Sequence, residues 1–300
     1  MRVAALDLGS NTSLLLIADV IDGRIERVVS DETHVTRMGQ GVHAHRRFHA
    51  EALKRMESCL GDYAQKIQQA GCEKVVAVAT SAARDVANGD ELIALGRKHN
   101  IPIHIITGQR EAELTFQGAL CDRATADGTL VVDVGGGSTE IIGLRGGKPS
   151  GVSIDVGSVR LTELYIKEQP IPAMDLVALN NHIERAFRDA TLSQIEAKEV
   201  VAVAGTPTTL AALEQKTEFS EQKVNGFHLS LSTIENWAAK MSKMTVEQRE
   251  LLPGMQPKRA DVIVTGSMIL AGALRALKKN AVTVSTRGVR YGVALACADF

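Results

Sequence analysis

Asp7-Leu8-Gly9-Ser10-Asn11-Thr12 and Asp133-Val134-Gly135-Gly136-Gly137-Ser138-Thr139 follow one plan: an aspartate ends an apolar run, the chain turns through glycine and hydroxyl residues, and a second apolar run begins. The two aspartates stand 126 positions apart, a scale that means a duplicated domain rather than a short solenoid unit. Outward from the first stretch, residues 2–7, 12–20 and 24–30 read as strands. Asp22-Gly23 joins the last two and suits a tight hairpin. The period then changes. Leu53, Met56, Leu60, Tyr63 and Ile67 recur every third or fourth position, forming one face of a helix that Gly71 closes. Residues 73–80 and 103–107 are expected strands, and 88–100 and 109–120 expected helices.

The polar segment 122–128 is the expected domain boundary. Beyond it the plan restarts with strands at 129–133, 139–144 and 150–155, the last two joined by a turn at 145–148. Pro170 and Pro172 precede a long helical region, 200–204 reads as a strand, and 208–215 and 259–279 read as helices. Strands alternating with helices predict an α/β chain whose sheets have a largely parallel centre.

Composition narrows the partners. Three hundred residues suit two domains better than one or three, and 45% hydrophobic with 23% charged residues is an ordinary globular balance. Lys+Arg number 34 against 35 Asp+Glu, so nucleic acid has no strong electrostatic claim, although a local basic groove for a polyanion stays open. Aromatics at 3% argue against stacking platforms for single strands. Cys59, Cys72, Cys121 and Cys297 are far apart and spell no zinc site or disulfide framework. The first twenty residues are too polar in their middle for a signal peptide, and no apolar run of about 18 follows. A soluble cytoplasmic protein with no membrane or nucleic-acid partner is expected.

A strand that ends in Asp and bends through Gly-Ser or Gly-Gly-Gly-Ser offers bare N–H groups that can nest an anion. Hydroxyls at Ser10, Thr12, Ser138 and Thr139 add donors. The aspartate before each bend can hold Mg²⁺, which takes one or two carboxylates together with phosphate oxygens. One such loop alone is more often a plain hairpin turn with a capping Asp; two matched loops favour a site for a chain of phosphates and a divalent metal. Aligning the copies on their aspartates isolates Glu140, which stands where the first copy has Leu14. It is either an edge charge or a metal or water ligand, and the second reading is favoured.

Glu111 and Glu113 fall at the start of the helix after Gly108. Interaction with the helix dipole accounts for Glu113; a carboxylate at Glu111 could also orient water against a terminal phosphate. Arg84 follows a strand end and either reaches phosphate as a planar donor, pairs with Asp85, or is a solvated charge at a helix start. Thr206, in Gly205-Thr206-Pro207-Thr208-Thr209, is expected to cap the next helix rather than bind anion. His43, His45 and His49, within HAHRRFHA, read as a solvated surface run rather than a metal site.

With these residues in view, the sequence resembles the exopolyphosphatase/guanosine pentaphosphate phosphohydrolase (Ppx/GppA) family along its whole length. ALDLGSNTSLLLI, RMGQGV, ATSAARD, ITGQREAELTFQGAL, VVDVGGGSTEII, VAGTPTTLAAL, MQPKRADVIVTGSMIL and TVSTRGVRYGVAL occur in the family's order. The second loop and the RADVI segment are specific, whereas the first loop also fits sugar kinases and actin-like ATPases. The resemblance implies an α/β fold of two ribonuclease H-like domains of the actin-like superfold, with an interdomain cleft. The implied domains are 1–122 and 123–287, with a helix at about 288–300 returning to the first. It further implies Mg²⁺-dependent removal of the terminal phosphate of inorganic polyphosphate, or of guanosine pentaphosphate to leave the tetraphosphate, in the stringent response. Glu111 matches the carboxylate that positions water, and Asp133 and Glu140 match the acidic pair around the metal. Asp7, Gly9, Ser10 and Asn11 match the first phosphate loop; Gly135, Gly136, Gly137 and Ser138 match the second. Arg84 matches the arginine of the SAARD segment.

Two departures stand out. Many relatives continue into a helical C-terminal region where this sequence ends at Phe300, so it resembles a short form, and its grip on long polyphosphate is open. Gln109-Arg110 replaces residues that are often acidic or polar, adding positive charge that either holds substrate or does nothing. Dimers are common in the family, which leaves a homodimer open. Two competing functions remain: an ATP-dependent kinase of the same superfold, and a non-catalytic binder of polyphosphate or alarmone.

Overall fold

Side-chain alternation along the first strand, β1 (Arg2–Leu8), decides which helices each residue meets. Ala4, Leu6 and Leu8 face one core, while Val3 and Ala5 face another, and Asp7 falls in phase with the second set. The structure is a computed structural model that describes residues 1–123, 126–190, 192, 197–256 and 258–300. The chain divides into two units, Met1–Thr125 with Arg287–Phe300, and Ala126–Thr286. Residues 124 and 125, within the expected boundary at 122–128, lie outside the described residues.

In the first unit β1 is followed by β2 (Thr12–Ile21) and β3 (Arg24–Val35), then by helices α1 (Val42–His45) and α2 (Ala50–Ala70). Strand β4 (Lys74–Ala79), helices α3 (Ser81–Arg84) and α4 (Gly89–Lys98), strand β5 (Ile103–Ile105) and helix α5 (Gly108–Ala119) complete its first stretch. The sheet order is β3-β2-β1-β4-β5: an antiparallel meander that turns parallel from β1 onward. Asp22 and Gly23 both take positive φ (48° and 70°), the backbone of the expected tight hairpin. The apolar face of α2 buries Met56, Leu60, Tyr63 and Ile67 against one side of the sheet, and Gly71 caps the helix in the left-handed region.

The second unit repeats the order. Strands β6 (Thr129–Val134), β7 (Thr139–Arg145) and β8 (Lys148–Ile154) form the meander, followed by α6 (Ser158–Tyr165) and α7 (Ala173–Asp189). Next come β9 (Glu199–Val203), α8 (Gly205–Gln215), α9 (Glu221–Val224), β10 (His228–Ser230), α10 (Leu231–Ser242), α11 (Val246–Glu250), α12 (Ile263–Ala276) and β11 (Ala281–Val284). The sheet runs β10-β11-β9-β6-β7-β8, which is the first unit's order with one extra antiparallel edge strand.

The last helix, α13 (Val289–Leu295), belongs to the first unit. Val289, Tyr291, Val293 and Ala294 pack with Val3, Ala5, Val76, Val78 and Leu114 on the sheet face opposite α2. It also presses on α5. A Cβ added at Gly118 would lie 2.0 Å from the Gly288 carbonyl oxygen, and one at Gly292 would lie 2.0 Å from that of Leu114. Only glycine permits this approach.

Three expectations need correction. Strand β3 runs on to Val35, past residue 30, because β2 offers a longer pairing edge. The helix expected from Arg259 begins only at Ile263. Thr206 lies inside α8 and supplies no capping hydrogen bond; its hydroxyl packs where a Cβ on Gly266 would come within 2.3 Å. Among the described residues, no helix is long and apolar enough to cross a membrane.

Candidate active site

The two glycine bends adopt one geometry. Gly9 N–H donates to the Thr12 carbonyl and Gly135 N–H to the Ser138 carbonyl, each at 3.0 Å. A Cβ on either glycine would meet that same oxygen at 3.0 Å. Carbonyls of both bends are engaged from behind. Gly39 N–H donates to Ser10 O at 2.7 Å and Arg37 N–H to Asn11 O at 3.0 Å. In the second unit the first amides of α6 bind the bend: Ser158 to Gly135 O at 2.9 Å, and Val159 and Arg160 to Gly136 O at 2.9 and 3.0 Å. With the carbonyls committed, the amides of the bends stay available for an anion. Ser10 and Asn11 are buried, and the Asn11 Nδ2 has no hydrogen-bond partner.

In the first unit the Asp7 face of the sheet gathers the charged residues. Helix α5 begins at a Thr107 cap, whose hydroxyl accepts from Arg110 N–H at 3.2 Å, and its first turn carries Glu111. Glu111 is 7% exposed, and its Oε2 accepts from Arg84 Nη1 at 2.6 Å. The same guanidinium donates to the Ile106 carbonyl at 3.1 Å. Burial pushes the Glu111 carboxyl above the usual carboxylate range, while the Arg84 charge and hydrogen bond pull it back. Asp7 is raised as well, to about 7, first by burial and then by the Glu111 charge, with Arg290 opposing. Its Oδ1 is buried without a hydrogen-bond partner.

Arg290 is the residue that sequence reasoning passed over. It is 8% exposed on α13 and makes a two-pronged pair with Asp31 of β3, Nε to Oδ1 and Nη2 to Oδ2 both at 2.8 Å. The Tyr291 hydroxyl donates to Asp31 Oδ2 at 3.1 Å. The available signal was an arginine inside a run of small and apolar residues, VRYGVAL. Glu113, by contrast, is held by Gln109 at 3.1 Å and by Arg110 at 3.3 Å, and Arg110 also pairs with Asp299 at 2.8 Å. The extra charge of Arg110 is thus spoken for within its own helix and the nearby C-terminal turn.

In the second unit, Asp133 of β6 lies directly opposite Glu140 of β7, as Asp7 lies opposite Leu14. Opposed residues of antiparallel strands share a face, so the two carboxylates stand side by side. Glu140 is 3% exposed, and its Oε1 accepts from Ser138 Oγ at 2.6 Å and from Ser153 Oγ at 2.7 Å. It is therefore no edge charge. Arg259 lies against the turn from β9 into α8, where a Cβ on Gly205 would fall 1.8 Å from its guanidinium. Burial brings its pKa down to about 10, with Asp261 opposing.

The structure thus brings Asp7, Glu111 and Arg84 together in one unit, and Asp133, Glu140 and Ser138 together in the other. Among the described residues no group of three or more His, Cys, Asp and Glu is assembled that could hold a metal ion by itself.

Known proteins share this sequence and fold along their length. Exopolyphosphatase 2 of Mycobacterium tuberculosis is 36% identical over 315 residues, spanning 99% of this chain and 98% of its own. An exopolyphosphatase from Cytophaga hutchinsonii superposes with a TM-score of 0.88 at 26% identity, covering 100% of this chain and 98% of its own. The Aquifex aeolicus member of the Ppx/GppA family superposes with a TM-score of 0.82 at 28% identity, covering 99% and 97%. The chain therefore has the two-sheet α/β fold of the Ppx/GppA structures, and with residues 16–299 matched by the family's model, the chain belongs to the Ppx/GppA phosphatase family.

Proposed function

We propose that this protein hydrolyses the terminal phosphoanhydride of inorganic polyphosphate in the cytoplasm, with Mg²⁺ as cofactor and guanosine pentaphosphate as a second substrate. The observation that carries the reading is Glu111, a buried carboxylate oriented by Arg84 on the same sheet face as Asp7. Phosphoryl transfer demands positioning and charge neutralisation more than a strong base. Glu111 accepts a hydrogen bond from the attacking water and takes its proton as the water oxygen bonds to the terminal phosphorus. The bridging P–O bond breaks, releasing orthophosphate and a chain one phosphate shorter.

The donor set suits Mg²⁺. The ion favours one or two carboxylates plus phosphate oxygens and water, so it needs no complete protein cage. Asp133 and Glu140, side by side, are the proposed ligands in the second unit, and in the first unit the unpartnered Oδ1 of Asp7 is an acceptor open to a metal ion or a bound water. When bound, the ion would offset phosphate charge. The amides of each bend, with the Ser10 hydroxyl in the first unit and the Ser138 hydroxyl in the second, are preorganised donors for phosphate oxygens.

The test is phosphate release measured separately from polyphosphate, guanosine pentaphosphate and ATP, with the Glu111→Gln variant alongside. Release from the first two that vanishes in the variant supports the reading. ATP-dependent transfer to an acceptor hydroxyl, with no release of free phosphate, points to a kinase. Tight binding of polyphosphate or guanosine tetraphosphate without turnover points to a non-catalytic binder.

A further inference from the structure

Between Thr33 and Ala50 the chain has no aspartate or glutamate, yet it carries Arg37, Arg46, Arg47 and four of its eight histidines. In a protein of formal net charge −1, this is an unusual concentration of cationic residues. The segment is built onto the first bend, since Arg37 and Gly39 donate the two hydrogen bonds that hold Asn11 O and Ser10 O. It is also fixed in place. Arg55 donates to Thr36 O at 2.8 Å, Ala87 N–H to Arg46 O at 2.9 Å, and Asn88 clasps both backbone groups of Phe48 at 2.8 and 3.3 Å.

Two of its arginines carry backbone strain. Arg37 and Arg46 have φ of 52° and 51°, a region costing L-residues on the order of 1 kcal/mol or more and persisting where the surroundings impose it. His43, His45, Arg46, Arg47 and His49 are all exposed. Nearby acids are mostly engaged elsewhere: Glu51 with Lys54 at 2.9 Å and Glu57 with Lys98, while Glu91 reaches Arg47 only at 3.5 Å. Of Phe, Tyr and Trp, residues 37–49 hold only Phe48, which is 5% exposed, so the segment lacks the large exposed rings that serve as stacking platforms for single strands. Fixed positive charge without a large aromatic platform fits a plain linear polyanion.

We infer that residues 37–49 form a preformed track for the distal phosphates of long polyphosphate whose terminal phosphates occupy the first bend. The inference rests on the polyphosphate reading above and extends it from the reacting end to the rest of the chain.

The test compares the wild type with R46E/R47E on polyphosphate several hundred units long and on tripolyphosphate. Both arginines are exposed, and a thermal melt confirms folding. The track predicts a KM for long polyphosphate raised about tenfold or more with kcat unchanged, a weaker salt dependence for the long substrate, and a KM for tripolyphosphate within about twofold of wild type. R46K/R47K should behave as wild type. Equal effects on both substrates, or none on either, overturn the track. If the wild type releases no phosphate from any polyphosphate, the hydrolase reading has failed, and binding of labelled long polyphosphate decides instead. Binding lost in R46E/R47E then supports the track, and binding retained overturns it.

Discussion

Arg84 and Glu111 are 27 residues apart in sequence and meet at 2.6 Å, the arginine also holding the Ile106 carbonyl just before the helix that bears Glu111. The pair thereby fixes both the direction and the charge of the one buried carboxylate in that first turn. Glu111→Gln keeps the shape and removes the charge. Phosphate release from polyphosphate should fall by about 10²–10⁴-fold, the usual worth of a positioned acid–base group. Circular dichroism should show an unchanged fold. Turnover near the wild-type rate would remove Glu111 from the chemistry.

Arg84→Ala leaves Glu111 buried with no counter-charge. Because Arg84 itself retains 25% side-chain exposure, the expected cost is about 3 kcal/mol, the low end for breaking a buried pair. It is read as a drop in unfolding free energy at pH 7. Adding Glu111→Gln to the same chain should restore most of it, whereas two purely additive losses would show that the pair is not coupled.

The Asp7 carboxyl titrates near 7 when folded, against an ordinary value of 3.8. In chelator, the folded state therefore holds a proton that the unfolded chain has already lost between those values. The contribution of Asp7 to stability should be greatest below about pH 4, fall as pH rises, and level off above about 7. Asp7→Asn should remove this contribution, so that its stability relative to wild type rises as pH goes from 4 to 7, and Mg²⁺ should raise the melting temperature at pH 8 for wild type but less for the variant. A stability difference between wild type and Asp7→Asn that does not change between pH 4 and 7 would contradict the burial of Asp7.

Glu140→Gln preserves an acceptor for Ser138 and Ser153 while deleting the charge. The variant should fold, bind Mg²⁺ weakly and need at least about tenfold more of it for half-maximal activity. An unaltered Mg²⁺ requirement would assign Glu140 a purely structural part in its strand.

Much of the fold was legible where the determinants are local. Asp22-Gly23 specifies its hairpin, the spacing of Leu53 to Ile67 specifies α2, and the two Asp-Gly bends announce the duplication. Less legible was whatever depends on a distant partner. Residues 31–35 are polar and half-exposed, and only pairing with β2 makes them strand, which is how Asp31 comes to meet Arg290. The four-residue helices α1 and α3 are too short to show a period, and β10 and β11 gain their identity from each other. At the candidate site, sequence pattern singled out Asp7, Glu111, Asp133 and Glu140. It did not pair Arg84 with Glu111 or single out Arg290, because those contacts span 27 and 259 positions.

The helix that covers the Asp7 face comes from residues 289–295, with the whole second unit encoded in between. A ribosome making this protein therefore finishes the five strands of the first sheet long before the segment that seals them emerges. Until then, one side of that sheet lacks its cover and Asp7 lacks the charge of Arg290. Nascent or prematurely terminated chains should thus expose apolar sheet surface to chaperones and proteases, and should lack a finished Asp7 corner.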